Sequence, residues 1–179
     1  VELHLGTNDL EINGSLRLVD SAELVQGTGV IEVTEDVSLA STSRITCATP
    51  TPTQECRIDI TASNITVNLA ASIDASGKGY PVSTWWQNES WPTAGNPGGS
   101  HGGRGYALTG SESNPVYGNL YDPDTPGAGG RYTAGGGIIR LQVSDTLTVH
   151  GEVNADAAGI SSNNGNGAGG SIRIGANVL

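Results

Sequence analysis

Short aliphatic runs that alternate with polar residues and stop at a small polar residue or a glycine recur along this chain. No other feature constrains the fold as much. The phrase reads Leu10-Glu11-Ile12-Asn13-Gly14-Ser15-Leu16, and again Leu147-Thr148-Val149-His150-Gly151-Glu152-Val153, with a looser copy at Ile65-Thr66-Val67-Asn68. A companion phrase is a strand led by glycine or cysteine and carrying an outward arginine: Cys56-Arg57-Ile58-Asp59-Ile60, Gly137-Ile138-Ile139-Arg140-Leu141 and Gly170-Ser171-Ile172-Arg173-Ile174. Arginine strand and turn strand follow one another twice, from Arg57 to Val67 and from Arg140 to Val149. About a dozen residues is the span of two strands and a turn, and repetition at that scale predicts a coil stacked on itself.

Length and composition fit such a coil. At 179 residues the chain is expected to form one domain, 1–179. With no Phe or Met, three Trp and five Tyr, its core must be built from Val, Ile, Leu and Ala, which suits a thin interior. The 27 glycines are roughly double the usual share, and without a collagen period they signal tight turns or close backbone stacking. Residues 1–67 read as strand after strand at intervals suited to a three-sided parallel coil. Across 76–136 the pattern gives way to Gly, Pro, Asn, Ser, Trp and Tyr, and regular strands are expected again over 137–179. A connection that long must fold on itself or perform the function. The predicted fold is therefore all-β, a single-stranded parallel β-helix (solenoid) with a long Gly/Trp/Tyr-rich loop insertion.

Charge excludes one class of partner. A formal net charge of -10, with Lys plus Arg numbering eight, gives no electrostatic grip on phosphate backbones, so no nucleic acid partner is expected. No apolar run is long enough for a membrane span. The chain begins at Val1 without an initiator Met, and removal of a leader by cleavage is the expectation.

Cys47 and Cys56 bracket a Thr/Pro-rich loop between the strands Arg44-Ile45-Thr46 and Arg57-Ile58-Asp59-Ile60. A disulfide between them closes a loop of about ten residues, stabilises by about 2 to 3 kcal/mol and implies an oxidising compartment. The competing readings are a metal pair or free thiols, and no His or second Cys pair lies nearby in sequence.

The middle stretch carries a family resemblance. Gly98-Gly99-Ser100-His101-Gly102-Gly103-Arg104-Gly105-Tyr106, then Tyr117-Gly118-Asn119-Leu120, Pro126-Gly127-Ala128-Gly129-Gly130 and Gly135-Gly136-Gly137-Ile138-Ile139-Arg140-Leu141, resembles the glycine-rich segments of large extracellular right-handed β-helix surface proteins. The resemblance covers roughly 65–174. It implies a β-helix outside the cell and no activity. Tyr106 stands where a further glycine is common, and the acidic, strand-rich first sixty residues lie outside the pattern.

Other motifs point to structure more than to chemistry. His101, His4 and His150 have no partner acid or nucleophile at a telling spacing, and His101 reads as a hydrogen-bonded loop staple. Gly165-Asn166-Gly167-Ala168-Gly169-Gly170 matches a dinucleotide pattern, but a strand follows it where a phosphate site needs a helix. Asp122 and Asp124 can offer oxygens to Ca²⁺ as weak candidates, although an Asx-type turn is the preferred reading; no cofactor is otherwise expected. Three glycosylation sequons, at Asn13, Asn64 and Asn88, are about what this composition produces by chance, with Asn88 the best placed.

The expected function is that of an extracellular, self-assembling structural subunit of a filament, sheath or surface layer, without enzymatic activity. A β-helix has open ends whose unpaired backbone groups invite a neighbouring copy. Val1, Leu3 and Leu5 alternate as an assembly strand, donated or at an edge, within 1–9. The alternatives are a carbohydrate-binding or polysaccharide-active module, or an adhesin fragment, using Trp85, Trp86, Trp91 and Tyr121 as the contact surface.

Overall fold

The computed structural model describes residues 1–51, 55–85, 89–90, 97–107, 112–159 and 165–179. Among them there is no helix, and the strands form three parallel sheets plus one short antiparallel pair. The first turn of chain supplies β1 (Glu2–His4), β2 (Leu10–Ile12) and β3 (Leu16–Leu18), and the second β4 (Glu23–Gln26), β5 (Ile31–Val33) and β6 (Asp36–Leu39). The third supplies β7 (Arg44–Cys47), β8 (Arg57–Ala62) and β9 (Asn64–Val67). After β10 (Ser72–Asp74) come the antiparallel pair β11 (Thr84–Trp85) and β12 (Glu89–Ser90), then β13 (Ile138–Val143), β14 (Leu147–Val149), β15 (Glu152–Asn154) and β16 (Ser171–Gly175).

Each strand of a turn enters a different sheet and pairs with the equivalent strand of the turn before. One sheet runs β1-β4-β7-β10-β15, the second β2-β5-β8-β13-β16 and the third β3-β6-β9-β14. This path is consistent with a parallel β-solenoid. Alternation sends every second side chain inward, and the register stacks like on like. Leu3, Leu24, Ile45, Ile73 and Val153 form one aliphatic column. Leu10, Ile31, Ile60, Leu141 and Ile174 form the second, and Leu16, Val37, Ile65 and Leu147 the third. Ile31, Ile45, Ile60, Ile65 and Ile73 are fully buried, which stabilises by about 1.5–3 kcal/mol per side chain.

The three corners differ. At the corner from third sheet to first, the chain turns through a residue with positive φ, at Asp20, Ser41 and Ala70. At the corner from first sheet to second, the early turns are tight: Gly27 packs so closely on the Gly6 carbonyl that a Cβ has no room. Gln26, wholly buried beside that corner, donates to the Gly29 carbonyl at 2.5 Å and accepts from the Asp59 amide at 3.2 Å, so this long polar side chain is satisfied.

From the third turn on, that corner opens. The described residues between β7 and β8, between β10 and β13 and between β15 and β16 all leave the coil there, on three consecutive turns. They form one lateral lobe in which glycine-rich backbone packs on backbone. Gly79 donates to Gly135 at 2.7 Å, Gly127 to Gly136 at 2.8 Å, Gly136 to Ala168 at 2.9 Å and Gly99 to Asn166 at 2.9 Å. Within the stretch 137–179 where strands were expected again, β13 to β16 stand, and the described residues between β15 and β16 join the lobe. Their Gly/Asn composition supplies no aliphatic stripe to bury in the coil.

Candidate functional site

Among the described residues, the lobe and the end faces of the coil present aromatic and aliphatic side chains in arrangements able to bind. All eight aromatic residues of the chain lie between Tyr80 and Tyr132. Within the lobe Tyr117 is the hub, with its ring centroid 5.0 Å from that of His101, 5.9 Å from Trp85 and 6.3 Å from Tyr80. Its hydroxyl donates to the Pro126 carbonyl at 2.6 Å. Burial, with Tyr80 and Glu55 nearby, pushes the Tyr117 phenol far above its ordinary value, so it stays neutral.

His101 ties separate segments together. Its Nδ1 lies 3.0 Å from the Gly169 carbonyl oxygen and its Nε2 3.0 Å from Thr125 Oγ1. A neutral ring satisfies both, with Nδ1–H donating to the carbonyl and Nε2 accepting from the hydroxyl. Burial lowers its pKa, partly offset by the Gly169 hydrogen bond. The ring is a staple between the third insertion and the second.

The remaining sequence candidates fall as follows. Cys47 and Cys56 form a disulfide, Cα to Cα 5.6 Å, both buried at the root of the lobe. Asp122 is engaged with Arg173, and the Asp124 carbonyl accepts from Arg57 at 3.2 Å, so this acidic turn pins the lobe to the outer face of the second sheet. No three His, Cys, Asp or Glu side chains are gathered to hold a metal among the described residues. Tyr121 is 92% exposed at the tip of that turn, whereas Trp85 is half-buried. Asn13 is exposed, while the Asn64 amide donates to Asp36 at 2.8 Å and accepts from Thr146 N at 3.1 Å. Trp86, Trp91 and Asn88 lie outside the described residues.

The end faces are the second region. Residues 1–7, offered by the sequence as a strand for donation, are used within the chain. Leu3 pairs with Leu24 and Leu5 N donates to Val25 O at 3.0 Å, which makes β1 an edge strand. Of the two roles expected for a strand within 1–9, donated or at an edge, the edge is the one this chain shows, because the Val/Leu alternation that suits a neighbour's sheet suits its own first sheet equally. The outer edge of β1 pairs with no described strand. Val1 and Leu3 are exposed on that face, and Ile172, Ile174, Val178 and Leu179 on the opposite one. There, an open cavity of about 690 Å³ is lined by Leu147, Val149, Val153, Ile174, Val178 and Leu179 among others.

Sequence reasoning missed Gln26 and the sharing of one corner by three insertions. Neither has a local signal, since the partners of Gln26 are three and thirty-three residues away. No family model, curated protein or solved structure matches the chain.

Proposed function

We propose that the protein is an extracellular structural subunit: a single-stranded parallel β-solenoid with a Gly/aromatic-rich insertion that assembles end to end with further copies of itself. One observation carries the reading. The aliphatic columns that begin at Leu3, Leu10 and Leu16 emerge at the far face as Val153, Ile174 and Leu147, around the 690 Å³ cavity.

A second copy is the occupant that fits. Continuing the second sheet by one step sets Ile174 of one copy over Leu10 of the next, and so brings Arg173 over Asp9. The same step in the first sheet sets Val153 over Leu3. Apolar side chains then meet apolar side chains, and the cation nearest one face meets an acidic face that also carries Glu2 and Glu11. Such a contact is head-to-tail, and a head-to-tail contact whose rotation does not close builds a filament. The disulfide supports an oxidising setting. Among the described residues no helix is long and apolar enough to cross a membrane. The glycine-rich resemblance to extracellular β-helix surface proteins points the same way.

Sedimentation velocity and negative-stain electron microscopy across a concentration series test the reading. Linear oligomers are expected to grow with concentration, and Leu3→Lys, on the exposed face of an edge strand, is expected to abolish them while leaving the far-ultraviolet spectrum intact. A parent protein that stays monomeric up to its solubility limit, or a Leu3→Lys variant that assembles as readily, refutes it. A second reading, adhesion through the lobe, is favoured by the exposure of Tyr121 and Leu120 at 92% and 87%.

A further inference from the structure

Four consecutive turns carry the same polar–small or aliphatic–polar triplet where the second sheet runs into the corner toward the third, and the fifth carries Gly175-Ala176-Asn177 in its place. The outer column of this track is Glu11, Glu32, Thr61, Gln142 and Gly175, placed side by side by the strand register. Two residues further along each turn stand Asn13, Thr34, Ser63, Ser144 and Asn177. The residues between them point inward, with Val33, Ala62 and Val143 buried. Two shallow grooves of about 440 and 330 Å³ lie along the track and share Val33, Thr34 and Thr61, so they run into one another along the coil axis.

We propose that this track binds an extended, neutral, hydroxyl-rich polysaccharide, with one sugar residue per turn. Strands in a sheet are about 4.8 Å apart, so the five rows span about 19 Å and repeat at about 4.8 Å. That repeat is close to the advance of one pyranose ring along an extended chain. A peptide strand advances only about 3.3 Å per residue and falls out of step with the rows. The carboxylates of Glu11 and Glu32 repel polyanions, whether nucleic acid or polyuronate.

The chemistry of the rows suits hydroxyl groups, which both donate and accept. Thr34 Oγ1 accepts from Gly14 N at 2.8 Å, leaving its proton to donate outward. Ser63 Oγ donates to the Thr34 carbonyl at 2.8 Å, leaving its lone pairs to accept. Gln142 offers both functions, and the two glutamates accept. Asn177 is held by its own bond to the Ser144 carbonyl at 2.6 Å, so the far end of the track is ordered before any ligand arrives. Gly175, with nothing near where a Cβ would stand, leaves open space in its row for a ring face. This site is distinct from the end faces and does not depend on assembly.

Isothermal titration with neutral β-1,4-glucan, β-1,4-mannan, β-1,4-xylan and β-1,3-glucan series, from disaccharide to octasaccharide, tests the proposal. At protein concentrations where the chain is monomeric, at least one series is expected to bind with an affinity that climbs to the pentasaccharide and then levels off. Thr61→Arg, outward and exposed at the middle row, is expected to weaken it by about tenfold or more. Thr148→Arg on the neighbouring sheet and Tyr121→Ala in the lobe are expected to leave it unchanged. Absence of binding by all four series at millimolar sugar overturns the proposal. So do an affinity indifferent to chain length, equal binding of polygalacturonate, and a loss caused by Thr148→Arg or Tyr121→Ala but not by Thr61→Arg.

Discussion

The lobe holds together through backbone contacts that leave no room for a side chain, and Gly136→Ala is the sharpest perturbation of that packing. The φ of Gly136 is not in the left-handed region, so alanine is conformationally acceptable and sterics alone decide the outcome. A Cβ there falls 2.6 Å from both the Ala155 carbonyl carbon and Gly170 N, and nearer still to the Ala155 oxygen. Non-bonded carbon atoms sit comfortably at about 3.5–4.0 Å, so the segments must part by more than about 1 Å. That separation lengthens three hydrogen bonds around the site: Gly136 N to Ala168 O at 2.9 Å, Gly127 N to Gly136 O at 2.8 Å and Gly170 N to Ala155 O at 2.7 Å. At about 0.5–1.5 kcal/mol net for each, the loss is about 2–4 kcal/mol. The matched control is Gly175→Ala, where nothing lies within 4 Å, and its effect is expected to stay within about 0.5 kcal/mol. Urea denaturation measures both. Amide hydrogen exchange should localise the damage, with 127–137 and 165–170 losing protection in Gly136→Ala while β5, β8 and β13 keep theirs. Equal stability of the two variants refutes the claim that close backbone packing maintains the lobe.

Two further outcomes are expected. Because burial lowers the folded-state pKa of His101 below its ordinary 6.5, the unfolded chain binds more protons as pH falls past that value, so stability is full above it and declines below. Urea midpoints taken from pH 8 to pH 5 should show this decline in the parent and lose part of it in His101→Gln; identical profiles contradict the staple. Paired Cys47→Ser and Cys56→Ser substitutions should lower the unfolding free energy by about 2–3 kcal/mol, the entropy of closing a loop whose ends are nine residues apart, and an unchanged urea midpoint argues against that contribution.

Much of the fold was legible because its cause is local. Period-two alternation is written in consecutive residues, so Val37-Ser38-Leu39 and Ile58-Asp59-Ile60 are recognisable as strands with one buried face before any neighbour is known. Glycine or a small polar residue after each run marks the corner. The disulfide was readable too, because two strands adjoining two cysteines bring their ends close. The residues of the polar track were in plain view inside the recurring phrase, as Glu11 and Asn13 flanking Ile12, but a phrase names a face only after its register is known.

By itself, then, the sequence determined most of the strands of the coil, though not β10, β11 or β12, and that parallel turns of aliphatic residues form the core. The tertiary structure decided what lies beside what. It put three insertions far apart in sequence at one corner, set Asp122 against Arg173, closed β1 onto β4, and gave Gln26 its partners on Gly29 and Asp59. The physical reason is range. Side-chain alternation is set by the geometry of two successive peptide units, whereas lateral neighbours depend on how many residues each corner and insertion consumes before the chain returns.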